Sequence, residues 1–167
     1  MYWLESTVSL QKEYTQMKEF NLRFFIERRW PDKLDNLLTI NEKDLPETAG
    51  TYILGSSDGT NFIYPWGSSP IFYIGQSNNL KKRLLTHKKN ISEAIENHND
   101  LYWWPRYQYG ASFGADLAWY SVRGTQNPNK LEADLITSFY DTYGSIPVAN
   151  GAWPSGLKPK YGSRDDK

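Results

Sequence analysis

The segment Phe72-Tyr73-Ile74-Gly75-Gln76-Ser77-Asn78-Asn79-Leu80-Lys81-Lys82-Arg83-Leu84-Leu85-Thr86-His87 changes its periodicity midway. A β-branched and aromatic run gives way, across a turn rich in Asn and Ser, to a cationic stretch with helical spacing. A strand delivered straight into a helix commits the chain to mixed architecture, and Ser77 or Asn78 is the expected N-cap of that helix. Arg83 and His87 stand four residues apart. On a helix they share a face and can reach one phosphate together.

The same signals extend in both directions. Strands are predicted over residues 50–54, 71–74 and 117–122, giving an α/β composition of the α+β type, a small three-stranded, mainly antiparallel sheet flanked by helices. Residues 55–70 hold five Gly and Pro and read as a long hairpin loop. A helix is predicted over 129–143, ended by Gly144, with Leu131, Leu135 and Phe139 on its buried stripe. Toward the N-terminus Leu10, Tyr14, Met17, Phe20 and Phe24 recur at spacings of four and three, a helix stripe that Trp30-Pro31 would stop. A second short helix is expected from Asp32 through Leu38, with Asp44 to Thr48 as a loop into the first strand. The domain reading is a helical extension over 1–44 packed on the core, a central domain over 45–154, and an irregular tail over 155–167 rich in Gly, Pro and Lys.

Composition narrows the chemistry. The 167 residues contain no cysteine, which removes disulfides, thiolate metal sites and Cys nucleophiles, so any metal must be held by oxygen or imidazole. No basic start precedes an apolar run, and no apolar span reaches the ~18 residues a membrane helix needs, so a soluble, intracellular, cytoplasmic protein without membrane contact is expected. With 19 basic and 19 acidic residues the molecule as a whole is not a strongly basic nucleic-acid binder. Charge is distributed unevenly, however. Residues 76–92 carry Lys81, Lys82, Arg83, Lys88 and Lys89 and no acid, whereas residues 1–49 carry nine acids against seven bases. A lysine run is often only a solvated face, but this one follows directly on the aromatic strand. Farther on, Leu101-Tyr102-Trp103-Trp104-Pro105-Arg106-Tyr107 mixes flat rings with a cation, a composition suited either to stacking on exposed bases or to covering a core edge.

Taken in order, Gly50-Thr51-Tyr52, Tyr73-Ile74-Gly75, Arg83 with His87, and Lys130-Leu131-Glu132-Ala133-Asp134 resemble the GIY-YIG nuclease family, over residues 45 to 150. The resemblance implies a compact, single-domain, restriction-type or phage-like endonuclease that uses Mg²⁺ or Mn²⁺ on DNA, with RNA left open, as a homodimer if it cuts both strands of a symmetric site. It implies Tyr52 as proton acceptor for the attacking water, surrounded by Tyr73, Arg83 and His87, with Glu132 as metal ligand. Asn150, in Ile146-Pro147-Val148-Ala149-Asn150, matches the family's asparagine and would be a structural or substrate-orienting hydrogen-bond partner. Lys81, Lys82, Lys88, Lys89, Trp103, Trp104 and Arg106 are the expected nucleic-acid contacts.

The residues themselves make this chemistry reasonable. Phosphodiester hydrolysis needs a proton acceptor for water, positive charge on the phosphate and help for the leaving oxygen. Arg83 can clamp phosphoryl oxygens through its forked donors, and one glutamate is enough for Mg²⁺, which fills its other positions with water and phosphate. Thr51 stands where the family has Ile, both β-branched. Twenty residues separate Tyr52 from Tyr73 and forty-four separate His87 from Glu132, longer than is usual in the family, so substrate recognition is expected in those insertions. Two other classes compete: a catalytically inactive nucleic-acid-binding module, and a protein-interaction module gripping its partner through an aromatic surface.

Overall fold

The computed structural model describes residues 31–97 and 104–154. The N-terminal stripe, Trp103 and the C-terminal tail lie outside the described residues. Six strands, β1 (Lys33–Asn36), β2 (Gly50–Gly55), β3 (Phe62–Tyr64), β4 (Gly67–Ser69), β5 (Ile71–Ser77) and β6 (Asp116–Ser121), are joined by three helices, α1 (Leu80–Glu96), α2 (Pro105–Phe113) and α3 (Pro128–Tyr143). The main sheet has four strands in the order β1-β6-β2-β5, all antiparallel, and β3 with β4 form a separate two-stranded sheet. The class is therefore α+β, with four strands where the sequence predicts three.

The additional strand accounts for that difference. Residues 33–36, expected within a helix from Asp32 through Leu38, instead pair with β6 in the register Lys33 to Trp119 through Asn36 to Asp116. Leu34, Leu37 and Leu38 have helix-like spacing, but a free sheet edge satisfies backbone groups that a short isolated helix leaves to water. The loop over 55–70 likewise contains the β3-β4 hairpin. The start of α1 is also corrected: neither Ser77 nor Asn78 is the N-cap but Asn79, whose side chain accepts the Lys82 amide proton at 2.9 Å. The third helix ends at Gly144, as its sequence predicts.

Alternation along the strands divides the core into two clusters. Ile53, Ile74, Ala118 and Tyr120 face α3, which contributes Leu135, Ile136, Phe139 and Tyr143. Tyr52, Leu54, Leu117 and Trp119 belong to the cluster that includes Leu80, Leu84 and Ile91 of α1 and Tyr107 of α2. Between β2 and β5 the register shifts at Leu54/Gly55: Leu54 pairs with Tyr73 but Gly55 with Ile71. Phe72 is the extra residue of this bulge, and a bulge turns successive side chains toward one side. Phe72 and Tyr73 thus both belong to the α1 cluster, while Ile71 and Ile74 belong to the other.

β5 is an edge strand, and a return segment closes it. Ala149 donates to the Phe72 carbonyl at 2.9 Å. The Asn150 side chain accepts from the Ile74 amide at 3.0 Å and donates to the Ile74 carbonyl at 2.8 Å.

Candidate active site

Tyr52, in the centre of β2, and His87, two turns into α1, are 35 residues apart in sequence and share a hydrogen bond between the phenol oxygen and Nε2. His87 is fully buried and Tyr52 nearly so. They meet because β2 and β5 put Tyr52 opposite Gly75, and a side chain there has no room: a Cβ on Gly75 would lie 2.5 Å from the Tyr52 oxygen and 2.8 Å from the Tyr73 ring. Gly75 is therefore the floor on which the phenol rests. The other ring nitrogen of His87, Nδ1, is buried with no hydrogen-bond partner among the described residues.

Around this pair the side chains converge from four elements. The Tyr73 ring centroid is 6.0 Å from that of Tyr52 and 6.0 Å from that of His87. Tyr107 of α2 closes the far side, its ring 5.4 Å from His87. Arg83, one turn before His87, is exposed, and its positive field reaches Tyr52, Tyr73, His87 and Glu132. Glu132 of α3 is half-buried, its charge acts on Tyr73, and Arg83 acts on it in turn.

Burial dominates the protonation of these groups. It pushes the Tyr52 phenol well above its ordinary value, reinforced by Tyr73 and opposed by Arg83. It raises Tyr73 as well, against the pull of Arg106. His87 is driven down to about 3 by burial first and then by Arg106 and Arg83. The resting pair is thus a neutral phenol and a neutral imidazole. Burial also raises the Glu132 carboxyl, with Arg83 working the other way.

Among the described residues no three His, Cys, Asp or Glu side chains gather into a metal-binding group, nor does any cation lie within 4 Å of Glu132. This donor set fits Mg²⁺ or Mn²⁺ bound through one carboxylate, water and phosphate oxygens, and does not fit a self-contained metal centre. Asn150 stands apart: both ends of its amide are committed to the Ile74 backbone, next to Tyr73, so it holds the strand.

The expected nucleic-acid contacts separate by position. Lys81 pairs with Glu47 at 3.3 Å, Lys89 with Glu93 at 3.8 Å, and Lys88 donates to the Ile40 carbonyl at 3.1 Å. Lys82 is exposed and has no carboxylate within 4 Å among the described residues. Trp104 is 64% exposed. Sequence reasoning missed that the segment after it is a helix and that Tyr107 packs its ring against His87. Pro105 at the first helical position was the available signal.

Over 133 residues, 77% of this chain, the sequence is 29% identical to the UvrABC system protein C of Aquifex aeolicus (strain VF5). The chain spans only 18% of that protein's length. No family model matches the chain, and no solved structure matches it significantly. The similarity is a distant one at the level of a family, in keeping with the motif resemblance.

Proposed function

We propose that this chain is a metal-dependent endonuclease of the GIY-YIG type that hydrolyses DNA phosphodiester bonds. The observation that carries the reading is the buried Tyr52–His87 hydrogen bond beneath Arg83 with Glu132 nearby. The distant similarity to a UvrABC system protein C supports a nuclease-like domain with a DNA-related role.

Neither partner alone is a ready base at neutral pH, since the phenol holds its proton and the imidazole resists charge. Together they can relay. As water attacks phosphorus its proton passes to the Tyr52 oxygen while the phenol's own proton passes to Nε2, so no free phenolate forms. This needs the tautomer in which Nε2 carries no hydrogen. The negative phosphodiester, arriving beside Arg83, offsets the positive field that disfavours an imidazolium, so substrate itself raises the basicity of His87. Arg83 clamps the nonbridging oxygens, and Tyr73 offers its hydroxyl to the attacking or phosphoryl oxygen. A divalent cation held by Glu132 would polarise the phosphate and neutralise charge on the leaving oxygen.

The test is incubation of the purified protein with supercoiled plasmid and single-stranded oligonucleotides, with Mg²⁺ or chelator, beside Glu132→Ala and Tyr52→Phe. Metal-dependent nicking by the wild type and a loss of at least ~100-fold in Glu132→Ala are expected, the cost of removing a principal electrostatic contribution. Equal cutting by Glu132→Ala rejects the metal assignment. Substrate binding without cutting by the wild type favours a noncatalytic binding module, to which the neutral resting pair also lends itself.

A further inference from the structure

Arg106 has no role in the scheme above, yet its surroundings are unusual for an arginine. It is half-buried, and its guanidinium carbon lies 4.8 Å from the Tyr107 ring, 5.6 Å from Tyr73 and 5.2 Å from Trp104. Rings on several sides fix its direction, each contact adding a modest cation–π attraction. No carboxylate lies within 4 Å of it among the described residues, and its Nε is buried without a hydrogen-bond partner. A buried guanidinium N–H with no acceptor is costly, which marks a place where an acceptor is expected to arrive.

The helix carrying it is rigidly seated. Gly110 lies against Ile91 of α1 so closely that a Cβ there would approach the Ile91 side chain to 2.6 Å. Tyr109 packs on Phe62 and Phe72 with ring centroids 5.3 and 5.9 Å away. The guanidinium is therefore held on the same side of the sheet as Tyr52, Tyr73 and His87, and its charge is felt by all three. A positive group with a free donor, fixed beside two phenols and an imidazole, matches a phosphate oxygen and little else these residues could recruit.

We propose that Arg106 is a second phosphate-binding cation of this site, contacting the same phosphodiester as Arg83 from the opposite, α2-bearing wall. The inference rests on the proposed function for the identity of the ligand. Two arginines from separate elements would grip the phosphate together, Arg83 exposed on α1 and Arg106 half-buried and set among rings on α2.

The probe is thymidylyl-thymidine, which carries one phosphodiester, titrated at low salt without metal while the arginine Nε–H resonances are followed by NMR. The Arg106 Nε–H signal should shift together with that of Arg83, and Arg106→Leu should weaken binding by about tenfold or more, as loss of a charged hydrogen bond does. Arg106→Lys, which keeps the charge without the fork, should fall between the two and serves if the Leu variant folds poorly. The Leu variant loses the guanidinium's modest attractions to three rings but also the unpaired Nε–H, opposing effects that should leave its melting temperature within a few degrees of the wild type's. An unmoved Arg106 signal while Arg83 saturates, unchanged affinity in Arg106→Leu, or no titration of either arginine overturns the proposal. Plasmid nicking separates the two ideas: cleavage with an indifferent Arg106 retains the nuclease and rejects the second cation, and dinucleotide binding at Arg106 without cleavage does the reverse.

Discussion

His87 combines complete burial with a ring nitrogen that has no partner among the described residues, and its resistance to protonation has a measurable effect on folding. Unfolded, a histidine takes a proton near pH 6.5; folded, this one waits until about 3. Between those values the unfolded chain binds a proton that the native chain refuses. The contribution is thus fully present above pH 6.5 and is lost as pH falls through that value toward 3, with a slope of at most about 1.4 kcal/mol per pH unit. Urea melts at pH 7 and pH 5 should show a larger loss in the wild type than in His87→Gln; parallel losses would refute the buried neutral ring. Gly75→Ala tests the geometry of the pair, because the added methyl occupies the space of the Tyr52 hydroxyl. Cleavage should drop at least ~100-fold with the far-UV circular dichroism preserved, since a displacement near 1 Å in a catalytic group can cost that much. At this scale the sequence was readable where a residue type has few alternatives: a tyrosine, an arginine and a glutamate in fixed order pointed to the candidate site proposed above. It was unreadable where direction decides, as with Arg106, whose turn inward depends on rings contributed by β5 and α2.

Secondary structure followed local pattern where the pattern was strong. The predicted strands at 50–54, 71–74 and 117–122 lie within or largely within β2, β5 and β6, and the helices after Asn79 and Asn127 stand close to their expected positions. Four elements were illegible: β1, α2 and the short hairpin strands β3 and β4 within the expected loop. The strand β1 exists because β6 offers it a ladder, which no window of four residues encodes. Helix α2 buries only Tyr107 and Gly110, so it has scarcely any amphipathic stripe to read. The bulge at Phe72 was equally hidden, though it is what turns Tyr73 toward His87. Asn150 is the device that holds this strand, and its replacement can be assessed as an element-level effect. Asn150→Ala strands one amide and one carbonyl of Ile74, each costing about 1–3 kcal/mol if left dry. The melting temperature should fall by several degrees, and Asn150→Asp, which restores the acceptor alone, should recover part of the loss. A melt unchanged in Asn150→Ala would mean that water replaces the amide at no cost.

For the molecule as a whole, zero net charge sets the electrostatic reach. Among the described residues of the basic stretch and the candidate site, Lys81, Lys89 and Lys88 are tied to Glu47, Glu93 and Ile40, which leaves Lys82, Arg83 and Arg106 there, none with a carboxylate within 4 Å, to meet a phosphate backbone. The dependence of DNA affinity on salt should therefore be shallow, equivalent to only a few released counterions, and Lys82→Ala should reduce the slope by about one. A steep slope that Lys82→Ala does not touch would locate the interface elsewhere. Finally, the strip running through Ala149 and Asn150 has a consequence for how this chain meets others. Along the stretch flanking Tyr73 the outward amide and carbonyls of Phe72 and Ile74 are already spoken for, so a foreign β-segment finds no rungs there to zip onto. The strand bearing Tyr73 is thereby insulated from swapping and amyloid-like stacking along this border.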